Sequence, residues 1–370
     1  MISFISRLFV STYARVLRAL TGRRRSQPRS IESGSRILCV VSAGIGDMLD
    51  ALPLLHTLRR HYPKAHLTVA CDPPGASLVQ ACPAVNDVIV LEPGWNPWRA
   101  AFKNAARMQD YDWVIAAKGG FDRRLARLTR LTNAAIRIGF ERRIDRPSAY
   151  YTDPVALPGD LHEEHQIDTL LRLLKPLGLV KPTSFSVDLS LRVPDSARVL
   201  AAEIRESPPF GSSPHFMLIN FSGAVGLKFR EEDFITLARR LLGLTHFVIG
   251  LIAAPSDQQI AQEIATCMGS KRIVAVDMPG PLDLAALLEQ ATFLLTPEGE
   301  AAHLAAAVGT PALVLWSEGP FKKSHSRGKR HAFVHAEPGE TTIPVERVWQ
   351  ALQPFLGSNQ DDVEKLGSSF

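Results

Sequence analysis

From Arg36 to Trp316 the sequence alternates short aliphatic and β-branched runs with stretches of helical periodicity, and it does so twice. In the first pass RILCVV, LTVACD, DVIVLE, WVIAAK and AIRIGF are separated by helical patterns over 46–61, near 75–81, near 97–108 and over 122–131. Runs of this kind read as strands buried on both faces, and helices between them make the strands parallel. After an extended crossing, SFSVDLSLRV, a second pass runs FMLINF, HFVIGL, RIVAVD, FLLTPE and ALVLW, with helices over 231–242, 256–268, 282–290 and 299–308. The expected fold is α/β: two Rossmann-like, doubly wound domains facing a cleft, with ligands at the carboxyl ends of the strands.

The boundaries follow. Residues 1–35 form a basic amphipathic helix and linker, 36–158 a first domain, 159–356 a second, and 357–370 a tail. HEEHQIDTLLRLLKPLGL reads as a helix closed by Gly178, and the last helix lies near 344–356. A chain of 370 residues, 46% hydrophobic and only 21% charged, has the apolar material for two such cores.

Cys39, Cys71, Cys82 and Cys267 are far apart and form no CxxC pair, so neither a zinc site nor a disulfide framework is signalled, and a reducing cytoplasm is expected. The net charge of +5 is modest for this length and implies no nucleic-acid partner. Its basic excess collects in Arg7, Arg15, Arg18, Arg23, Arg24 and Arg25. On a helical wheel Ile2, Ile5, Phe9, Tyr13, Val16 and Leu20 face away from Arg7, Ser11, Arg15 and Arg18. Such a helix lies in an anionic membrane interface or packs on the protein's own body, and both readings stand. The uncharged run from Leu8 to Ala14 is too short for a signal-peptide core or a membrane span.

Three segments carry candidate chemistry. SAGIGDMLDALPLLHTLRR follows the first strand; Gly44 and Gly46 let backbone N–H groups approach a ligand at a helix N-terminus. Leu49 stands where a dinucleotide fingerprint needs its third glycine, which sets aside an NAD-dependent oxidoreductase. Asp47 is placed to accept a proton from an attacking hydroxyl, or else is an acidic first-turn residue favoured by the macrodipole. INFSGAVGLKF sets Ser222, Gly223 and Lys228 in a loop suited to a phosphate, the lysine offering a point charge unless it is merely solvated. FLLTPEGEAAHLAAAVGTPALVLW runs from a strand through Glu298, Gly299 and Glu300 into a small-residue helix carrying His303, a donor to a ligand oxygen or a structural histidine. Asp110–Tyr111–Asp112 spells the acidic DxD pattern of some metal-dependent sugar transferases, but it precedes a strand and so lies at the wrong end of the sheet. No bound metal and no cofactor are expected.

In order along 36–356, these segments resemble the ADP-heptose:lipopolysaccharide heptosyltransferases, glycosyltransferase family 9. The strand and GD turn of RILCVVSAGIGDMLDALPLLHTLRR, the lysine loop NFSGAVGLKF and the nucleotide-binding end TFLLTPEGEAAHLAAAVGTPALVLW carry the resemblance. It implies a GT-B fold and an inverting, metal-independent enzyme that moves heptose or a related sugar from a nucleotide sugar, ADP-heptose above all. It further implies a lipid-linked or surface glycan acceptor met at the inner face of the bacterial inner membrane. By the same resemblance Asp47 is the general base, Lys228 the phosphate contact, and Glu298 to His303 the donor-nucleotide loop. Family members usually carry Asp-Thr-Gly where this chain has Glu298–Gly299–Glu300, and the tryptophan–proline pair near the lysine is absent. Carboxylates at a helix N-terminus repel a diphosphate unless they turn away or meet a ribose hydroxyl. The alternative reading is therefore a catalytically decayed relative that binds nucleotide or glycan as an assembly partner.

Overall fold

The structure, a computed structural model, describes residues 34–41, 44–92, 103–142, 150–159, 163–179, 187–213, 215–222, 229–244, 247–317 and 321–356. The amphipathic helix and most of the linker expected over 1–35, residues 184–186 at the start of the crossing SFSVDLSLRV, Gly223, Lys228 and the tail 357–370 lie outside the described residues. The chain divides into two compact units between Asp188 and Leu189.

In the first unit, strands β1 (Arg36–Val41), β2 (His66–Cys71), β3 (Asp87–Val90), β4 (Trp113–Ala116), β5 (Ile136–Glu141) and β6 (Asp153–Ala156) form one parallel sheet. Its order is β3-β2-β1-β4-β5-β6. The strands read as unbroken apolar runs because helices cover both faces. Leu38 and Val40 pack with Val114, Leu125 and Leu128 in one core cluster. The helix Ile45–His61 is buried at every position from Met48 to Leu58. Each fully buried Leu contributes on the order of 1.5–3 kcal/mol, so this helix is fixed mainly by packing rather than propensity.

The sequence places a boundary near 158, whereas the contacts carry the first unit on to Asp188. The reason is local: helix Gln166–Leu171 packs on helix Ile45–His61, the Tyr62 hydroxyl donates to the Leu177 carbonyl at 3.4 Å, and Arg60 meets Asp188 at 3.6 Å. The expected single helix through Leu177 is an α-helix over Gln166–Leu171 that tightens into a 3₁₀ segment, Arg172–Leu177, and ends at Gly178 in the left-handed region. Pro176, which has no N–H for an α-helical bond, sits in that tightened stretch.

In the second unit β7 (Phe216–Asn220), β8 (Val248–Ile252), β9 (Ile273–Ala275), β10 (Phe293–Pro297), β11 (Ala312–Trp316) and β12 (His331–His335) are again all parallel. Their order, β12-β11-β10-β7-β8-β9, repeats that of the first sheet strand for strand. Phe293, Leu295, Leu313 and Phe355 share its core. Helix Val345–Leu356 closes the unit: Phe355 packs on Phe293 with the rings tilted and their centroids 5.6 Å apart, and Arg240 lies 4.4 Å from the centre of the Trp349 ring.

Two outcomes follow from this packing. A Cβ on Gly139 of β5 would clash with Cζ of the buried Tyr151. Gly139→Ala is expected to cost about 1–3 kcal/mol, read as a lowered denaturation midpoint. His331 is buried, its Nδ1 lies 2.8 Å from the Ser326 hydroxyl, and burial depresses its pKa from 6.5 to about 4. The native state holds it neutral, so its contribution is complete above pH 6.5 and is lost as pH falls from 6.5 toward 4. Urea unfolding at pH 7.5 and pH 4.5 should show a wild-type loss larger by roughly 2–3 kcal/mol than that of His331→Gln.

Candidate functional site

In each sheet the chain starts at a central strand, winds one way, then returns to wind the other. The switch points lie between β1 and β4 and between β7 and β10. Loops that leave the carboxyl ends there diverge to opposite faces and open a place for a ligand.

At the first switch point Gly44 is the N-cap of helix Ile45–His61, with extended backbone and nothing within 4 Å of where its Cβ would be. Gly46 and Asp47 fall in the first turn, where the macrodipole favours the carboxylate. Asp47 does not stand alone. The Gln166 side-chain amide donates to its Oδ1, and Lys118 Nζ lies 3.7 Å from its Oδ2. Lys118 follows the end of β4, on the other side of the switch point; Gln166 opens helix Gln166–Leu171. Sequence reading missed both. Lys118 was findable as the first charged residue past the end of WVIA, whereas nothing near Gln166 in the sequence points toward Asp47.

At the second switch point Asn220 Nδ2 donates to Thr296 Oγ1 at 3.1 Å, tying the ends of β7 and β10 together. The buried Ser222 accepts from the Ala254 N–H at 3.0 Å, and its own N–H donates to Asn220 Oδ1 at 3.2 Å. Its hydroxyl therefore links the loops after β7 and β8. Gly299 has φ 141° and ψ −160°, a conformation that a residue with a Cβ scarcely adopts. It lets the chain leave β10 and turn at once into helix Glu300–Val308, where Ala301, Ala302 and Ala305 are buried.

The two carboxylates here are disposed differently. Glu298 Oε2 accepts from the Ser317 N–H at 3.2 Å, so this side chain points toward the end of β11. Glu300 has an exposed side chain, yet desolvation raises its pKa above the ordinary carboxylate value, with His303 one turn on pulling the other way. His303 is half-buried, and its backbone N–H donates to the Gly299 carbonyl at 3.3 Å. The structure thus brings Asn220, Ser222, Thr296, Glu298, Gly299, Glu300 and His303 to one sheet edge, while Gly223 and Lys228 lie outside the described residues. A group absent from the sequence reading stands beside them: Phe321 stacks on His325 at 4.6 Å and meets the rings of Trp316 and His335 edge-on.

Two other constellations are structural. Asp112 Oδ2 accepts from the Arg36 N–H at 2.9 Å, and the Asp112 N–H donates to the Arg36 carbonyl at 2.9 Å. The DxD pattern thereby fastens the amino ends of β1 and β4. Cys82 Sγ lies 3.9 Å from His56 Nε2, and His56 Nδ1 lies 3.9 Å from Asp188 Oδ2, in the order thiol, imidazole, carboxylate. Burial pushes the Cys82 thiol up to about 11, so it is no nucleophile at neutral pH. Among the described residues no helix is long and apolar enough to cross a membrane, and no group of three or more His, Cys, Asp or Glu could hold a metal.

Comparison with known proteins bears on the fold and the family. Lipopolysaccharide heptosyltransferase 3 of Escherichia coli K12 is 23% identical over 347 residues, covering 86% of this chain and 98% of that protein. A glycosyl transferase family 9 structure from Veillonella parvula superposes with a TM-score of 0.77 at 20% identity, over 90% of this chain and all of that one. Escherichia coli heptosyltransferase WaaC, solved with ADP, gives 0.67 at 20% identity, over 89% of this chain and 99% of that one. These similarities establish two Rossmann-like domains of the heptosyltransferase type. The model of glycosyltransferase family 9 (heptosyltransferase) matches residues 99–350, more than half of the sequence, and the chain belongs to that family.

Proposed function

We propose that this glycosyltransferase moves heptose, or a closely related sugar, from ADP-heptose to a lipopolysaccharide-type acceptor, with inversion and without a metal. The observation that carries the reading is Asp47, an ionisable carboxylate at the carboxyl end of β1, oriented by an amide and flanked by an ammonium. Support for the donor comes from WaaC, whose structures contain ADP and ADP-2-deoxy-2-fluoro heptose; support for the acceptor comes from the lipopolysaccharide heptosyltransferase 3 relative.

In this mechanism the acceptor hydroxyl gives its proton to Asp47 as its oxygen bonds to the anomeric carbon. The bond from that carbon to the diphosphate breaks on the opposite face, and ADP leaves with the electron pair. Asp47, in the first unit, supplies the base. Stabilisation of the leaving diphosphate falls to the N-terminus of helix Glu300–Val308, to His303, and to Lys228 as its cation. Backbone N–H groups in the Ser222–Gly223 loop and around Gly299 serve the same oxygens. The enzyme works at the cytoplasmic face of the inner membrane, where the basic excess of Arg7, Arg15, Arg18, Arg23, Arg24 and Arg25 favours an anionic lipid surface.

A second reading has one observation behind it. Glu300, in the first turn of the helix offered to the donor, places a carboxylate near an incoming diphosphate. If that repulsion closes the site to chemistry, the protein is a binder of nucleotide or glycan. Glu298 weakens this reading, since its carboxylate is turned to the Ser317 amide.

Asp47→Asn should keep the fold and lower turnover by about a thousandfold or more, read as ADP released from ADP-heptose with a lipopolysaccharide-core acceptor. Undiminished turnover would rule Asp47 out as the base. Lys228→Ala should weaken ADP binding about tenfold to a hundredfold by calorimetry. In the same assay GDP and UDP should bind less tightly than ADP. Stabilisation by ADP-heptose with no ADP release across a panel of acceptors would favour the binder instead.

A further inference from the structure

Asp47 sits on a helix that is buried from Met48 to Leu58, yet its own side chain is 38% exposed, as Lys118 is at 36%. A carboxylate this open to water turns about its last torsion with little hindrance. A general base is useful only when one oxygen faces the hydroxyl it must deprotonate.

Three structural features remove that freedom. Gln166 donates its side-chain amide to Oδ1 from a residue 119 positions away in the chain. Lys118 stands at 3.7 Å from Oδ2, too far for a hydrogen bond but close enough for its charge to act, so Oδ2 keeps lone-pair capacity for a hydroxyl. Gly119 completes the arrangement, because a Cβ there would stand 3.2 Å from Gln166 Cγ and 3.3 Å from its Oε1. The segment that delivers Gln166 is itself pinned. His165 caps the helix by accepting the Ile167 N–H on Nδ1 at 3.1 Å, and Arg172 grips Glu164 through both carboxylate oxygens, Nε to Oε2 at 2.8 Å and Nη2 to Oε1 at 2.7 Å.

We propose that Gln166 and Lys118 are positioning residues for the proton-accepting carboxylate, Gln166 fixing its orientation through Oδ1 and Lys118 stabilising its charge from the Oδ2 side. This rests on the reading of Asp47 as the base. The amide lets Oδ1 act as the anchored oxygen and presents Oδ2 to the acceptor; the ammonium holds its charge 3.7 Å from Oδ2.

The test is turnover, read as ADP released from ADP-heptose with a lipopolysaccharide-core acceptor. It is measured on Gln166→Ala, Lys118→Met, Lys118→Arg, and Asp47→Ala with and without Gln166→Ala. Gln166→Ala and Lys118→Met should each lower kcat about tenfold with KM changed by less than about twofold. Lys118→Arg should recover most of that loss, and Gln166→Ala should change turnover by less than about twofold once Asp47 is already Ala. An equal loss from Gln166→Ala in both backgrounds, or an effect confined to KM, would overturn the positioning role. Full turnover in Asp47→Ala would instead overturn the assignment of Asp47 itself. A readout independent of turnover is the Gln166 side-chain amide pair in a proton–nitrogen spectrum, identified by its loss in Gln166→Ala. Those resonances should shift in Asp47→Asn; if they stay in place, the contact is absent whether or not the protein transfers sugar.

Discussion

The burial of β1 and β4 on both faces is the constraint from which the rest of the first unit follows. Leu38, Cys39, Val40, Val114 and Ile115 are fully enclosed, so helices must cover the sheet on either side, and polar chemistry is excluded from its faces. Ionisable groups with a task are confined to the rims. The two rims differ because every strand is parallel: all amino ends gather at one edge and all carboxyl ends at the other. Asp112 works at the first and Asp47 at the second, though both are aspartates beside the same pair of strands.

The second unit meets the same constraint with different polar equipment. Asn220 and Thr296 join across its switch point by a neutral hydrogen bond where the first unit has a carboxylate, an ammonium and an amide. That difference matches the division of labour proposed for the two halves. Deprotonation calls for a titratable oxygen held in one orientation. Recognition of a diphosphate calls for N–H groups and positive charge, and a backbone in the Gly299 conformation can aim them without a side chain in the way.

How much of this was legible in the sequence depended on the range of the interaction. Strands and helices were readable because periodicity and apolar runs are local, and the GD turn was readable because Gly44, Gly46 and Asp47 are consecutive with a strand end. The strand order was not readable. It is set by which apolar edges pair after the chain has wound, and the sequence contains only the crossovers. Gln166 was invisible for a related reason: its contact with Asp47 exists only once helix Gln166–Leu171 lies on helix Ile45–His61. The same packing moves the division of the chain to Asp188, since a boundary near 158 read from the strand–helix alternation cannot register Tyr62 reaching Leu177. The direction of Glu298 likewise depends on Ser317, a residue beyond the next strand.

The fastening of Arg36 to Asp112 at the amino rim separates what holds the sheet from what its opposite edge does. Substitutions among the loops at the carboxyl rim leave that fastening intact. A change of side chain at the carboxyl rim therefore does not act on the bonds that hold the amino ends together. One end of the sheet is thus a fixed seam and the other a rim whose polar groups can differ without unpicking it.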